Sequence, residues 1–159
     1  MNSLDAVLRN ALLAAARSER LKRLALRLPV TASVVRRFVP GETVDDCLAS
    51  VRALAADGLS ASIDFLGEDT TSPAQAAAVR DGYLEVLTRL RAEGLAESAE
   101  VSVKLTAIGL GLPDGSALAL AHAREICAAA AAAGMTVTVD MEDHTATDRT
   151  LGLLAELRH

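Results

Sequence analysis

The sequence predicts an α/β protein, a partial (β/α)8 TIM-like barrel made of the first three βα units behind a set of N-terminal helices. One four-residue pattern occurs three times, in Ser62-Ile63-Asp64-Phe65, Ser102-Val103-Lys104-Leu105 and Thr138-Val139-Asp140-Met141: a hydroxyl residue, a β-branched residue, a charge and an apolar residue. Side chains alternate along a strand, so each hydroxyl and charge share one face, while Ile63, Val103 and Val139 take the other. The charges lie 40 and then 36 residues apart, each interval holding a loop, a helix and a glycine. That is the rhythm of βα units joined by right-handed crossovers. A doubly wound sheet also fits the rhythm, but it buries both strand faces and favours continuous apolar runs, whereas a barrel accepts polar side chains near its C-terminal rim. The charges favour the barrel. A closed barrel takes about eight units in roughly 250 residues, so the chain reads as the front portion of one.

The elements follow in order. Leu4, Val7, Leu8, Ala11, Leu12 and Ala15 mark an amphipathic opening helix. The basic turn from Arg17 to Arg27 reads as a solvated helix face in an acidic chain, and Pro29 breaks it. A short helix through Val34, Val35 and Phe38 ends at Pro40-Gly41. Thr43 with Asp46 three residues on resembles a capping box, and Val44, Cys47, Leu48, Val51 and Leu54 form one apolar face ending at Gly58. Residues 1–58 are thus N-terminal helices and 59–159 the three βα units. A first strand is expected over about 60–66. Ser72-Pro73-Ala74-Gln75 then combines an N-cap, a first-turn proline and a reaching glutamine for a helix carrying Val79, Tyr83, Leu87 and Leu90 up to Gly94. The second strand, over about 100–106, leads through Gly109-Leu110-Gly111-Leu112-Pro113-Asp114-Gly115 into an Ala-rich helix ending at Gly134. This loop lacks the spacing of a dinucleotide fingerprint, and Pro113-Asp114-Gly115 is ordinary turn chemistry. The third strand, over about 135–141, passes through Glu142-Asp143-His144 to a cap at Thr145 with Asp148 and a helix holding Leu151, Leu154 and Leu157.

Composition narrows the partners. A net charge of -5 and 2% aromatic residues supply neither a basic stripe to neutralise phosphates nor rings on which bases stack, so nucleic acid is not an expected partner. No run of about 18 apolar residues spans a bilayer. Asp5, Arg9 and Arg17 interrupt the apolar N-terminus where a signal peptide would have its core, and a cytoplasmic location is expected by default. Cys47 and Cys127 are single, far apart and on apolar helix faces, which reads as core thiols rather than a disulfide or a metal pair. No metal site is expected.

Three strands side by side would present Asp64, Lys104 and Asp140 as neighbours. Charges in otherwise apolar strands ask for partners, and alternating signs supply them, so a polar, reactive strand-end site and a plain ion-pair network are both open readings. His144 stands at the same rim, but a histidine just before a helix cap is more often exposed loop, and it stays outside the catalytic set.

Arg37-Phe38-Val39-Pro40-Gly41-Glu42-Thr43, Asp64-Phe65-Leu66-Gly67-Glu68, Ser102-Val103-Lys104-Leu105-Thr106 and Val139-Asp140-Met141-Glu142-Asp143-His144, in this order and spacing, resemble the bacterial monofunctional proline dehydrogenases over essentially the whole chain. The resemblance implies an FAD-dependent enzyme on a distorted barrel that oxidises L-proline to 1-pyrroline-5-carboxylate and passes electrons to a quinone, with peripheral membrane contact through the quinone. It implies residue roles as well. Lys104 matches a lysine that helps hold the proline carboxylate. Asp140 matches the aspartate at the proline and flavin site, and Met141 the residue that borders the flavin. Glu68 matches a glutamate paired with a substrate-binding arginine. The family's remaining flavin and carboxylate contacts come from later strands and the last barrel helix, beyond His159, so the chain by itself is expected to be inactive and to self-associate. Two rivals stay open: a barrel lyase in which Lys104 forms a Schiff base with a carbonyl substrate, and a non-catalytic fragment.

Overall fold

A computed structural model describes residue 41 and residues 43–67 and 70–158; the expected opening helix, basic turn and short helix before Pro40 lie outside the described residues. Helix and strand alternate: α1 (Val44–Ala56), β1 (Ala61–Asp64), α2 (Pro73–Ala92), β2 (Ala99–Val103), α3 (Gly115–Ala133), β3 (Val137–Val139) and α4 (Thr147–Leu157). The strands form a parallel sheet in the order β1-β2-β3, with Ile63 opposite Val101 and Val103 opposite Val139. Parallel neighbours joined through a helix are what the repeated rhythm requires.

Local chemistry accounts for where the helices begin. Thr43 and Asp46 form a capping box, the threonine side chain accepting the Asp46 N–H while the aspartate accepts the Thr43 N–H. Ser72 caps α2 through the Gln75 N–H, with Pro73 in the first turn where its missing N–H costs nothing. The reaching glutamine overshoots the cap: Gln75 Oε1 accepts from Thr71 N–H at 2.8 Å. At α4 the expected cap is displaced. The helix starts at Thr147, and Thr145 is instead gripped by Asp143, whose Oδ1 accepts both its N–H and its hydroxyl. A carboxylate two residues back satisfies both groups in an Asx turn, which leaves Thr145 outside the helix. Those bonds hold the Asp143 carboxyl below its usual range.

Leu48, Val51, Val79, Tyr83, Leu87, Leu90, Val101, Val103 and Ile126 share one core, with Ile63 and Val139 packed against it. Each Leu or Ile so buried is worth about 1.5–3 kcal/mol of transfer free energy. Because α1 contributes Leu48 and Val51, it belongs to the unit Thr43–His159 that holds the strands, although the sequence groups it with the preceding helices. On α4, the helix expected to hold Leu151, Leu154 and Leu157, the buried residues are Thr150 and Leu153, with Leu154 and Leu157 half-buried and Leu151 exposed. Both sets have helical spacing, and periodicity alone does not choose between them.

The opposite sheet face is polar from end to end. At its lower half Glu100 accepts the hydroxyls of Thr136 and Thr138 from β3, and at its upper end stand Asp64, Lys104 and Asp140. Every strand is shorter than expected on this upper side, β1 ending at Asp64, β2 at Val103 and β3 at Val139. After β2 the chain turns through a π-helical segment, Thr106–Leu110, whose Gly109 has φ 121°. The expected glycine-rich loop is thus partly a wide helical turn, and only glycine adopts that backbone without strain.

Candidate functional site

The site lies where the three strands stop. Lys104 and Asp140 are the first residues beyond β2 and β3, and Asp64 is the last of β1. The register that sets Asp64 opposite Ser102 brings Lys104 within one pleat of it on the same face. Lys104 Nζ and Asp64 Oδ2 are 2.6 Å apart, in side chains 18% and 30% exposed. Such half-buried ions are screened less than surface pairs, so the contact fixes the lysine as well as neutralising it. Asp140 is half-buried and is fastened by its backbone, the N–H donating to Val103 O at 3.0 Å. Met141 is 52% exposed at the same rim. Glu68, the remaining sequence candidate, lies outside the described residues. His144 is exposed.

Two further side chains that tie the strand ends together escape a reading of motifs alone. Glu142 crosses from the end of β3 to the end of β2, accepting the Thr106 N–H at 3.1 Å and the Thr106 hydroxyl. Tyr83, on α2, is 1% exposed and sends its hydroxyl between β1 and β2. That oxygen accepts the Phe65 N–H at 3.1 Å, donates to Ser102 O at 2.7 Å and lies 3.3 Å from Asp64 Oδ1. A lone tyrosine within an apolar helix face was the available signal, since a buried phenol needs a polar partner. The loops are tied together as well: the Thr70 hydroxyl bonds Ala107 O at 2.8 Å, His122 Nδ1 bonds Ile108 O at 2.9 Å, and Arg149 bonds Leu110 O. Chemically, the arrangement offers a fixed cation, flanking carboxylates and an open apolar side chain, a set suited to a small zwitterionic or carboxylate-bearing ligand. Cys47 and Cys127 are free and half-buried, and burial pushes both thiols up.

Burial also pushes the Tyr83 hydroxyl up, to about 12, with the nearby Asp64 carboxylate adding to the shift. Folding therefore favours the neutral phenol: the stabilisation is whole below the ordinary tyrosine pKa of about 10 and is lost as pH rises toward 12. Tyr83 is the one tyrosine of the chain. Phenolate absorbance in an alkaline titration of this chain should appear near pH 12, together with loss of helical circular dichroism. Phenolate formation near 10 with the fold intact would show that the hydroxyl is not held as described.

The family model described as proline dehydrogenase matches residues 47–159. The chain is 34% identical to "Proline dehydrogenase" of Deinococcus radiodurans over 149 residues, which cover 93% of this chain and 47% of that protein. It is 36% identical to "Proline dehydrogenase 1" of Bacillus subtilis (strain 168) over 123 residues, 77% of this chain and 39% of that one. A crystal structure of proline utilization A from Bdellovibrio bacteriovorus, inactivated by N-propargylglycine, superposes with a TM-score of 0.69 at 23% identity, over 80% of this chain and 15% of that chain. At that identity the likeness is one of fold. The chain spans about half the length, or less, of the curated relatives it matches.

Proposed function

We propose, from the premise that this chain belongs to the proline dehydrogenase family, that it forms the front of a (β/α)8 barrel in which FAD-dependent oxidation of L-proline to 1-pyrroline-5-carboxylate takes place. One observation carries the reading: an ammonium, Lys104, held by Asp64 at 2.6 Å at the C-terminal ends of parallel strands, where barrel enzymes keep their sites. Oxidising a CH–NH bond to C=N removes a hydride from carbon and a proton from nitrogen. FAD, when bound, supplies the two-electron acceptor. The residues present fit that partner in kind, for Met141 offers an apolar surface at the rim and Lys104 a cation for the carboxylate of an amino acid. In this reading Lys104 holds the proline carboxylate through Nζ, and Asp64 keeps the ammonium in place. Asp140 would contribute a carboxylate at the substrate, Met141 would offer its apolar side chain to the flavin, and Glu68 would pair with an arginine supplied by a later part of the barrel. A quinone would take the electrons onward. The enzyme works in the cytoplasm and meets the membrane peripherally, and among the described residues no helix is long and apolar enough to cross one.

A Schiff-base lyase would need the Lys104 amine with a free lone pair, whereas this nitrogen serves as a cationic donor to Asp64. Borohydride with carbonyl substrates should therefore leave Lys104 unmodified. The function itself is tested by proline-dependent dye reduction in the flavin-loaded protein carrying the whole barrel, and absence of reduction there sinks it.

Residues 1–159 on their own should neither retain FAD nor oxidise proline. Among the described residues β1 and β3 are both edges of the sheet, and water reaches the polar face with Lys104, whose side chain is 18% exposed, which weakens its hold on a carboxylate. Open edges also favour self-association. The measurement is a visible spectrum after addition of FAD and desalting, followed by a dye-reduction assay. Tight yellow flavin with turnover would show that these units hold a complete site.

A further inference from the structure

We propose that Tyr83 is a positioning residue for the substrate carboxylate, acting through Asp64 on Lys104; the inference rests on the carboxylate-holding role given above to Lys104. The geometry starts in the β-ladder. On the β2–β3 side the ladder continues past the strand ends by a direct bond, Asp140 N–H to Val103 O at 3.0 Å. On the β1–β2 side, with Asp64 opposite Ser102, the corresponding rung would join Phe65 N–H to Ser102 O. The Tyr83 hydroxyl stands in that rung, accepting from Phe65 N at 3.1 Å and donating to Ser102 O at 2.7 Å. An oxygen inserted between donor and acceptor holds the two strands further apart than a direct bond of about 2.9 Å allows.

The opening falls at the residue that carries the charge pair. Asp64 immediately precedes Phe65, its Oδ1 lies 3.3 Å from the phenol oxygen, and its Oδ2 holds Lys104 Nζ at 2.6 Å. One carboxylate oxygen thus faces the wedge and the other the lysine. The phenol ring is itself fixed: Tyr83 is buried, and its ring packs on Phe65 with centroids 5.8 Å apart. Gly82 beside it leaves the space that the Phe65 ring fills, for a Cβ there would meet Phe65 Cζ at 2.9 Å. The path from helix to lysine therefore runs through groups with little freedom. Without the hydroxyl, Phe65 N–H and Ser102 O either close on each other and draw Asp64 toward β2, or stay unpaired and let the strand end move. Either change displaces the partner of Lys104.

The test uses the flavin-loaded full-length enzyme and two probes, cyclopentanecarboxylate and cyclopentanecarboxamide, whose binding is read by calorimetry. Tyr83→Phe keeps the ring and removes the wedge. It should weaken the carboxylate by roughly threefold to tenfold, the span of one ordinary hydrogen bond, and leave the amide and the flavin content unchanged. Leu87→Val loosens the same face of α2 without touching the hydroxyl, and it should leave both probes unchanged. Carboxylate affinity retained in Tyr83→Phe while Lys104→Ala loses it would overturn the role of Tyr83 alone. Equal weakening of both probes, or the same loss from Leu87→Val, would reduce Tyr83 to a core residue. Retention by both Tyr83→Phe and Lys104→Ala would overturn this inference together with the reading of Lys104 on which it rests.

Discussion

Replacing Lys104 by alanine in the flavin-loaded enzyme should raise the KM for proline by about tenfold to a hundredfold, with flavin content near that of the unmodified protein. A hydrogen bond to a charged group is worth about 1.5–3 kcal/mol, and each 1.4 kcal/mol is a factor of ten. The ammonium is already positioned by Asp64 at 2.6 Å, so little ordering remains to be done when a carboxylate arrives. In the reading above Lys104 meets the carboxylate and Met141 the flavin, so the loss should fall on proline. Asp64 keeps its contact with Tyr83 and is 30% exposed, so water takes up much of the charge left unpaired. The fold should survive. Steady-state kinetics with a flavin absorbance measurement separate the effects, since loss of ground-state binding raises KM while kcat stays close to its starting value. An unchanged KM would return Lys104 to the rank of a structural ion.

How much of this site is legible before the fold is known depends on the range of the interaction. The alternation in Ser62-Ile63-Asp64 and Ser102-Val103-Lys104 is local, so the face that carries the charges follows from the pleat alone, and the structure keeps it. Thr43 with Asp46 and Ser72 with Gln75 are also local, and both caps form. The partner of Lys104 is another matter. Opposite signs on adjacent strands permit Asp64 or Asp140, and only the register and the gap between β1 and β2 direct Nζ to Asp64. That gap depends on Tyr83, whose hydroxyl partners lie 18 and 19 residues away, one just past the end of β1 and one on β2. Nothing in the helical spacing of Val79, Tyr83 and Leu87 tells a phenol in the core from a phenol threaded into a ladder. The same limit governs the phase of α4, where Thr150 and Leu153 are buried although Leu151, Leu154 and Leu157 have equal periodicity.

Gly115→Ala should destabilise the folded protein by about 3 kcal/mol or more, at the upper end of what overpacking costs. A Cβ at Gly115 would overlap the carbonyl oxygen of Gly109, lie 3.1 Å from that carbonyl carbon and crowd Leu112 Cβ at 3.3 Å. The obstacle is backbone, so no side-chain rotamer relieves it. The Gly109 segment has little room to retreat. Gly109 is held at φ 121°, its carbonyl accepts the Leu112 N–H at 3.0 Å, and beside it Ile108 O and Leu110 O anchor His122 and Arg149. Ala107 O in the same turn accepts from the Thr70 hydroxyl in the loop after β1, and Thr106 donates its N–H to the Glu142 carboxylate in the loop after β3. Pushing this turn aside would therefore loosen the loops at the ends of all three strands, and ligand affinity should fall along with stability. Gly152→Ala is the control, in the interior of α4 with nothing within 4 Å of the added atom. There alanine should stabilise by about 0.5–1 kcal/mol, because glycine loses more backbone freedom on entering a helix. Urea unfolding of the two variants beside the parent protein measures both. A Gly115→Ala midpoint equal to that of the parent would mean that the turn after β2 is free to shift, and that its carbonyl contacts do not fix the strand ends.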